Sequence, residues 1–291
     1  MKRYIYICTI LVMCCAWFAS CGAQSSTADD GGMISVDVIT PEEATILEET
    51  EINESSDEIV LEETDPDESE TIEENHRLVV IDAGHQQSGD FNKEPIGPGA
   101  TETKAKVAGG TKGVVSGLKE YELTLAISLK LQAELVSRGY EVIMCRTEND
   151  VNISNSQRAQ IANDANADVF IRIHANGSEN SSVNGAMTIC QKENNPYNGD
   201  LFESSYCLSE CVLDSLVSST GCKKEYIWKT NSMSGINWSR VPTTIVEVGY
   251  MTNPTEDQKL ATEEYQSLIA TGLADGIDIY FQEMEGEGDD N

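Results

Sequence analysis

Residues 77–85, RLVVIDAGH, and residues 168–176, DVFIRIHAN, decide the fold of this chain. Each is a short, unbroken apolar run, with no polar residue on alternate positions until its last few residues. A strand buried on both faces reads this way, because helices cover both sides of a parallel sheet. Between and beyond these runs lie longer segments of helical period. Short buried runs alternating with such segments are the signature of strands joined by crossover helices, which predicts an α/β domain.

The segment after the first run is KEYELTLAISLKLQAELVSRGY, residues 119–140, with Leu123, Ile127, Leu131 and Leu135 four apart and Gly139 past the end. That spacing puts one apolar stripe on a helix with a glycine C-cap. YEVIMCRTE (140–148) reads as a second strand, SNSQRAQIANDANA (154–167) as a helix capped by Ser154 or Ser156, and GAMTICQK (185–192) as a further strand. SYCLSECVLDSLVSSTG (205–221) is expected to be a helix, TTIVEVGYMT (243–252) a buried strand, and EEYQSLIATGLADGIDIYF (263–281) the closing helix. The expectation is one domain, residues 76–284, with a mostly parallel or mixed central sheet flanked by helices.

The rest of the chain reads differently. Residues 1–21 place Lys2 and Arg3 before an apolar run and small residues before Cys21, the pattern of an export signal. Phe18-Ala19-Ser20-Cys21-Gly22 resembles a lipoprotein box, with Phe18 where Leu is preferred, which implies acylation at Cys21 and a membrane anchor. Residues 22–75 are rich in Ser, Thr, Asp and Glu, have no Lys or Arg, and are expected to form a disordered acidic linker. Residues 285–291 are expected to be a solvated tail. Much of the formal charge of −31 sits in the linker, so nucleic acid is excluded as a partner on electrostatic grounds. Apart from four cysteines in the signal, the chain has Cys145, Cys190, Cys207, Cys211 and Cys222. An odd number cannot all pair within one chain, and no C-x-x-C spacing offers a thiolate zinc site.

Of three histidines, His85 and His174 stand at the C-terminal ends of expected strands, the sheet edge where ligands collect in open α/β folds. Imidazole nitrogen suits Zn²⁺, and catalytic zinc sites typically use three protein ligands and leave a position for water. Glu120, at the start of the 119–140 helix, is placed to be the third. Glu247 interrupts the apolar run 243–249, and a carboxylate there needs a partner or a purpose. Asn176 is placed to orient a substrate or to cap the strand end.

IDAGHQ (81–86), GLKEYELTLAISLKLQAEL (117–135), RIHANGS (172–178) and PTTIVEVGYMTNPTED (242–257) occur in that order. Together they resemble the motif set of the zinc-dependent N-acetylmuramoyl-L-alanine amidases of the amidase-3 family, over nearly all of residues 77–282. The resemblance implies that His85, Glu120 and His174 hold one Zn²⁺ and that Glu247 is the catalytic carboxylate. It implies as substrate the peptidoglycan amide joining muramic acid to L-alanine. Gln86-Gln87 depart from the Gly-Gly that often follows the first His in the family. Two other readings compete: a zinc exopeptidase acting on wall peptides, and a surface lipoprotein that binds the wall without cutting it.

Overall fold

The runs expected to be buried on both faces are so in the computed structural model, which describes Val38–Ile39 and residues 77–289. Its strands are β1 (Val38–Ile39), β2 (Leu78–Ala83), β3 (Asp90–Pro95), β4 (Thr103–Val107), β5 (Glu141–Met144), β6 (Val169–Asn176), β7 (Ala186–Cys190), β8 (Lys224–Lys229) and β9 (Thr243–Tyr250). Its helices are α1 (Glu120–Ser137), α2 (Asn155–Asp164), α3 (Phe202–Thr220), the short α4 (Ser234–Asn237) and α5 (Pro254–Leu260), and α6 (Glu263–Asp289).

Seven strands form one sheet in the order β1-β5-β2-β6-β9-β7-β8. β5, β2, β6 and β9 run parallel to one another, while β7 is antiparallel to β9 and β1 antiparallel to β5. The sheet is therefore mixed, one of the two arrangements expected. Successive side chains of a strand point to opposite faces. Val79 and Ile81 accordingly join the cluster formed with Leu123, Ile127, Leu131 and Leu135 of α1, Leu208, Val212 and Leu216 of α3, and Ile269, Leu273 and Ile277 of α6. Val80 and Phe170 turn the other way, against Ala159 and Ala162 of α2. The four stripe residues of α1 are fully buried. Each contributes roughly 1.5–3 kcal/mol by leaving water.

Helix termini follow the local chemistry. Ser154 caps α2, its side chain accepting from the Gln157 amide, with Gln157 returning the bond as a capping box. Gly221, in the left-handed conformation (φ 65°), ends α3.

Four features differ from the sequence reading. Val38–Ile39, within the segment expected to be a structureless linker, pairs with Ile143 and Val142 as an edge strand. The outer edge of β5 offers unpaired backbone groups, and any extended segment in reach can satisfy them. The stretch between the first strand and the 119–140 helix, for which the sequence reading names no element, holds the antiparallel β3–β4 hairpin, and β8 adds a strand beyond β7. Helix α6 continues to Asp289, past the Met284 boundary. Residues 1–21, with Cys21, and the remainder of 22–75 lie outside the described residues.

Candidate active site

Strand β2 ends at Ala83, and the chain turns sharply so that His85 takes a positive φ of 61°, an unusual conformation for a residue with a side chain. Buried arginines hold this turn. Arg158, fully buried on α2, donates to the carbonyls of Ala83 (2.8 Å) and His85 (2.9 Å), and Arg146 donates to those of Ala83 (2.8 Å) and Gly84 (3.1 Å). Asp82 lies between Arg158 and Arg172 and pairs with both. Burial raises the Asp82 pKa, but the two guanidinium charges outweigh it and hold the carboxyl well below the usual range. Gln86, at the position where the family often has Gly, points away from the histidines. Its side chain accepts from the Ile153 amide (3.0 Å) and donates to the Ser88 carbonyl (3.0 Å).

The turn delivers His85 against Glu120 and His174. His85 Nε2 lies 3.0 Å from Glu120 Oε1, His174 Nδ1 lies 3.3 Å from the same oxygen, and the two ring nitrogens are 3.2 Å apart. Glu120 is fixed from behind: the Thr111 amide donates to its Oε2 (2.7 Å) and the Ala175 amide to its Oε1 (3.2 Å). Nδ1 of His85 lies 2.9 Å from the Ala108 carbonyl, which selects the tautomer with a lone pair on Nε2. Gly84 lies directly beneath the His174 ring, where any Cβ would collide with the ring and with the Ile173 carbonyl.

Three donor atoms facing one another at 3.0–3.3 Å match what a small cation needs. Bonds of about 2.0–2.1 Å at tetrahedral angles set zinc ligands about 3.3 Å apart. Burial raises the Glu120 pKa, but hydrogen bonds from His174 and His85 and their charge hold it well below the usual range, so it presents an ionised oxygen. Burial lowers the His174 pKa and favours neutral imidazole. At His85 burial acts the same way but is outweighed by Glu120 and the Ala108 carbonyl, which raise its pKa. Among the described residues this is the one group of three or more such side chains close enough to hold a metal ion.

Glu247 sits beside this set because β6 and β9 are in register, His174 opposite Glu247. Its Oε2 is buried with no hydrogen-bond partner among the described residues. Burial, and then the negative charge of Glu120, push its pKa up to about 8. Two clefts meet here, both lined by His85, Ala108, His174 and Glu247. One, of about 310 Å³, runs between the hairpin and α4. The other, of about 600 Å³, runs along Gly109–Thr111 and Asn176–Glu179. A carboxylate with one buried, unpartnered oxygen, a three-donor cation site and a groove passing both ways fit hydrolysis of a bond within a polymer.

The sequence from 79 to 278 matches the family profile described as N-acetylmuramoyl-L-alanine amidase, Amidase_3. The chain belongs to this amidase family. It is 30% identical over 191 residues to the uncharacterized protein YqiI of Bacillus subtilis, a match covering 65% of this chain and 88% of YqiI. It is 29% identical over 204 residues to the N-acetylmuramoyl-L-alanine amidase LytC of Bacillus subtilis, covering 70% of this chain but 35% of LytC, so it spans about a third of that relative. The crystal structure of the amidase Ami1 from Mycobacterium abscessus superposes with a TM-score of 0.64 at 27% identity, over 70% of this chain and 98% of that one.

This amidase domain brings His85, Glu120, His174 and Glu247 together, as read from the sequence. Asn176 stands at the rim of the larger cleft, where its Oδ1 accepts from the Gly177 amide (2.8 Å) and its carbonyl from the Met251 amide (2.9 Å). Its contacts are those of a strand cap. Among the described residues no disulfide joins Cys145, Cys190, Cys207, Cys211 or Cys222. The sequence reading missed the clasp of Arg146, Arg158 and Asp82 behind the amidase site. A fully buried arginine on the inner face of α2 is the signal that marks it, since such a charge must find partners.

Proposed function

We propose that this domain hydrolyses the amide between the lactyl group of N-acetylmuramic acid and L-alanine in peptidoglycan, with one Zn²⁺ held by His85, Glu120 and His174. The observation that carries this reading is the triangle of donor atoms at 3.0–3.3 Å beside Glu247, whose buried oxygen has no hydrogen-bond partner. When bound, zinc supplies Lewis acidity that acidifies water and polarises the scissile carbonyl.

The chain's own residues do the rest. Glu247 accepts the proton of the attacking water and delivers it to the leaving nitrogen. Water thus adds across the C–N bond, giving a muramoyl carboxylate and a peptide amine. Glu120 stays ionised and holds both imidazoles. The clefts on either side seat the glycan and the stem.

The reading also places the enzyme outside the cytoplasmic membrane, anchored through acylated Cys21. The test of activity is digestion of intact peptidoglycan by the zinc-loaded protein. New alanine amines and bare muramic acid are the expected products. Amino acids trimmed from stem termini would instead indicate an exopeptidase, and zinc-loaded protein that binds wall without products would indicate a binding module.

A further inference from the structure

Arg172 is 3% exposed, on the same face of β6 as His174 and two residues before it. Its Nε and Nη2 donate to Asp82 (2.8 Å and 2.7 Å), and Nη2 also reaches Asn155 Oδ1 (2.8 Å). Nη1 has no hydrogen-bond partner among the described residues, and Arg172 lines the 310 Å³ cleft. Gly235 packs against Nη1 on α4, so close that any Cβ would overlap the guanidinium. Only a residue without a side chain leaves the guanidinium room to lie at the cleft wall. Asp82 is one carboxylate against two guanidiniums, so the pair carries a positive charge in excess at the cleft wall. Buried charge without a counter-charge is costly, and an anion in the cleft would relieve it.

The remaining wall includes Ile189, Ile245 and Met233, suited to apolar parts of a peptide. Residues two apart on a strand are separated by about 6.5 Å. In an extended stem the scissile carbonyl and the α-carboxylate of the second residue are about 7 Å apart, since consecutive Cα atoms lie 3.8 Å apart. With the scissile amide at His174, that carboxylate falls at Arg172.

Resting on the amidase reading, we propose that Arg172 Nη1 binds the free α-carboxylate of the stem's second, γ-linked residue. The enzyme therefore prefers stems that keep this acid over stems in which it is a carboxamide.

The test compares kcat/KM of the full mature protein on two synthetic muramoyl peptides that differ only in that group, acid against amide. The wild type is expected to favour the acid by about ten- to a hundredfold, the usual worth of a charge-assisted hydrogen bond. Arg172→Gln should erase the preference, the ratio of kcat/KM for acid over amide falling to about one in the folded variant. Arg172→Lys keeps a positive charge against Asp82 but has no second arm for the cleft, so it should fold and also lose the preference. Equal rates in the wild type, or a preference surviving in either folded variant, overturn the assignment. Zinc-loaded wild type that cuts neither substrate overturns the amidase reading itself.

Discussion

Glu247→Gln separates proton transfer from metal holding, because the amide is nearly isosteric with the acid but cannot take a proton. The variant is expected to keep its zinc and to lose about two to four orders of magnitude in turnover. Zinc analysis and amide cleavage on one preparation check this, and loss of the metal would make Glu247 a ligand instead. The same variant carries a pH signature in the metal-free protein. With its pKa raised to about 8 from 4.5, Glu247 gives the folded state more bound protons than the unfolded state between those values. Its stabilising share is thus present at pH 4 and lost as pH rises through about 8. Metal-free Glu247→Gln should therefore melt above the wild type at pH 9 and with it near pH 4; equal melting at both would remove the buried-acid account. His85→Ala, Glu120→Ala and His174→Ala should each lose zinc and hydrolysis together, since each removes one of three protein donors. Full metal occupancy and activity in any of them would take that residue out of the site. His85, His174 and Glu247 were legible in the sequence because each conflicts with its surroundings, a Glu in an apolar strand or a His where a strand ends; Glu120, at an ordinary helix start, was named only as the third donor the histidines need and by the family resemblance. Arg146 and Arg158 were not. Their role comes from a turn they hold across the fold, which a one-dimensional pattern does not show.

At the scale of elements, the central strands and the three long helices could be read because burial on both faces and the four-residue stripe each leave a period in the sequence. The β3–β4 hairpin could not. DFNKEP and TKAKV are mostly polar and partly exposed, so no apolar alternation marks them, and only their pairing makes them strands. Strand β1 is two residues long and is defined by its neighbour's open edge. Its pairing with Ile143 and Val142 is worth about 1–2 kcal/mol on the usual scale of net hydrogen-bond contributions. Deleting residues 22–75 should lower the melting temperature by about 2–8 °C, given about 2–4 °C per kcal/mol at this size. Activity on soluble wall fragments should persist. A deletion that melts like the full chain would show that β1 contributes nothing, and one that abolishes turnover would tie the segment to catalysis.

At the scale of the whole molecule, the domain is built on the seven-stranded sheet and the helices packed on it. Mass spectrometry of the mature N-terminus is expected to find Cys21 acylated; a free N-terminus beyond it would leave the protein unanchored. Strand β1 runs opposite to β5, so the end of β1 nearest Val38 lies toward Met144, at the same sheet edge as His85 and His174. Val38, the first described residue, therefore stands at the sheet edge that carries the candidate site. Seventeen peptide steps separate Cys21 from Val38, and fully extended they span about 60 Å. Acylation at Cys21 would thus hold the start of the folded domain within about 60 Å of the lipid.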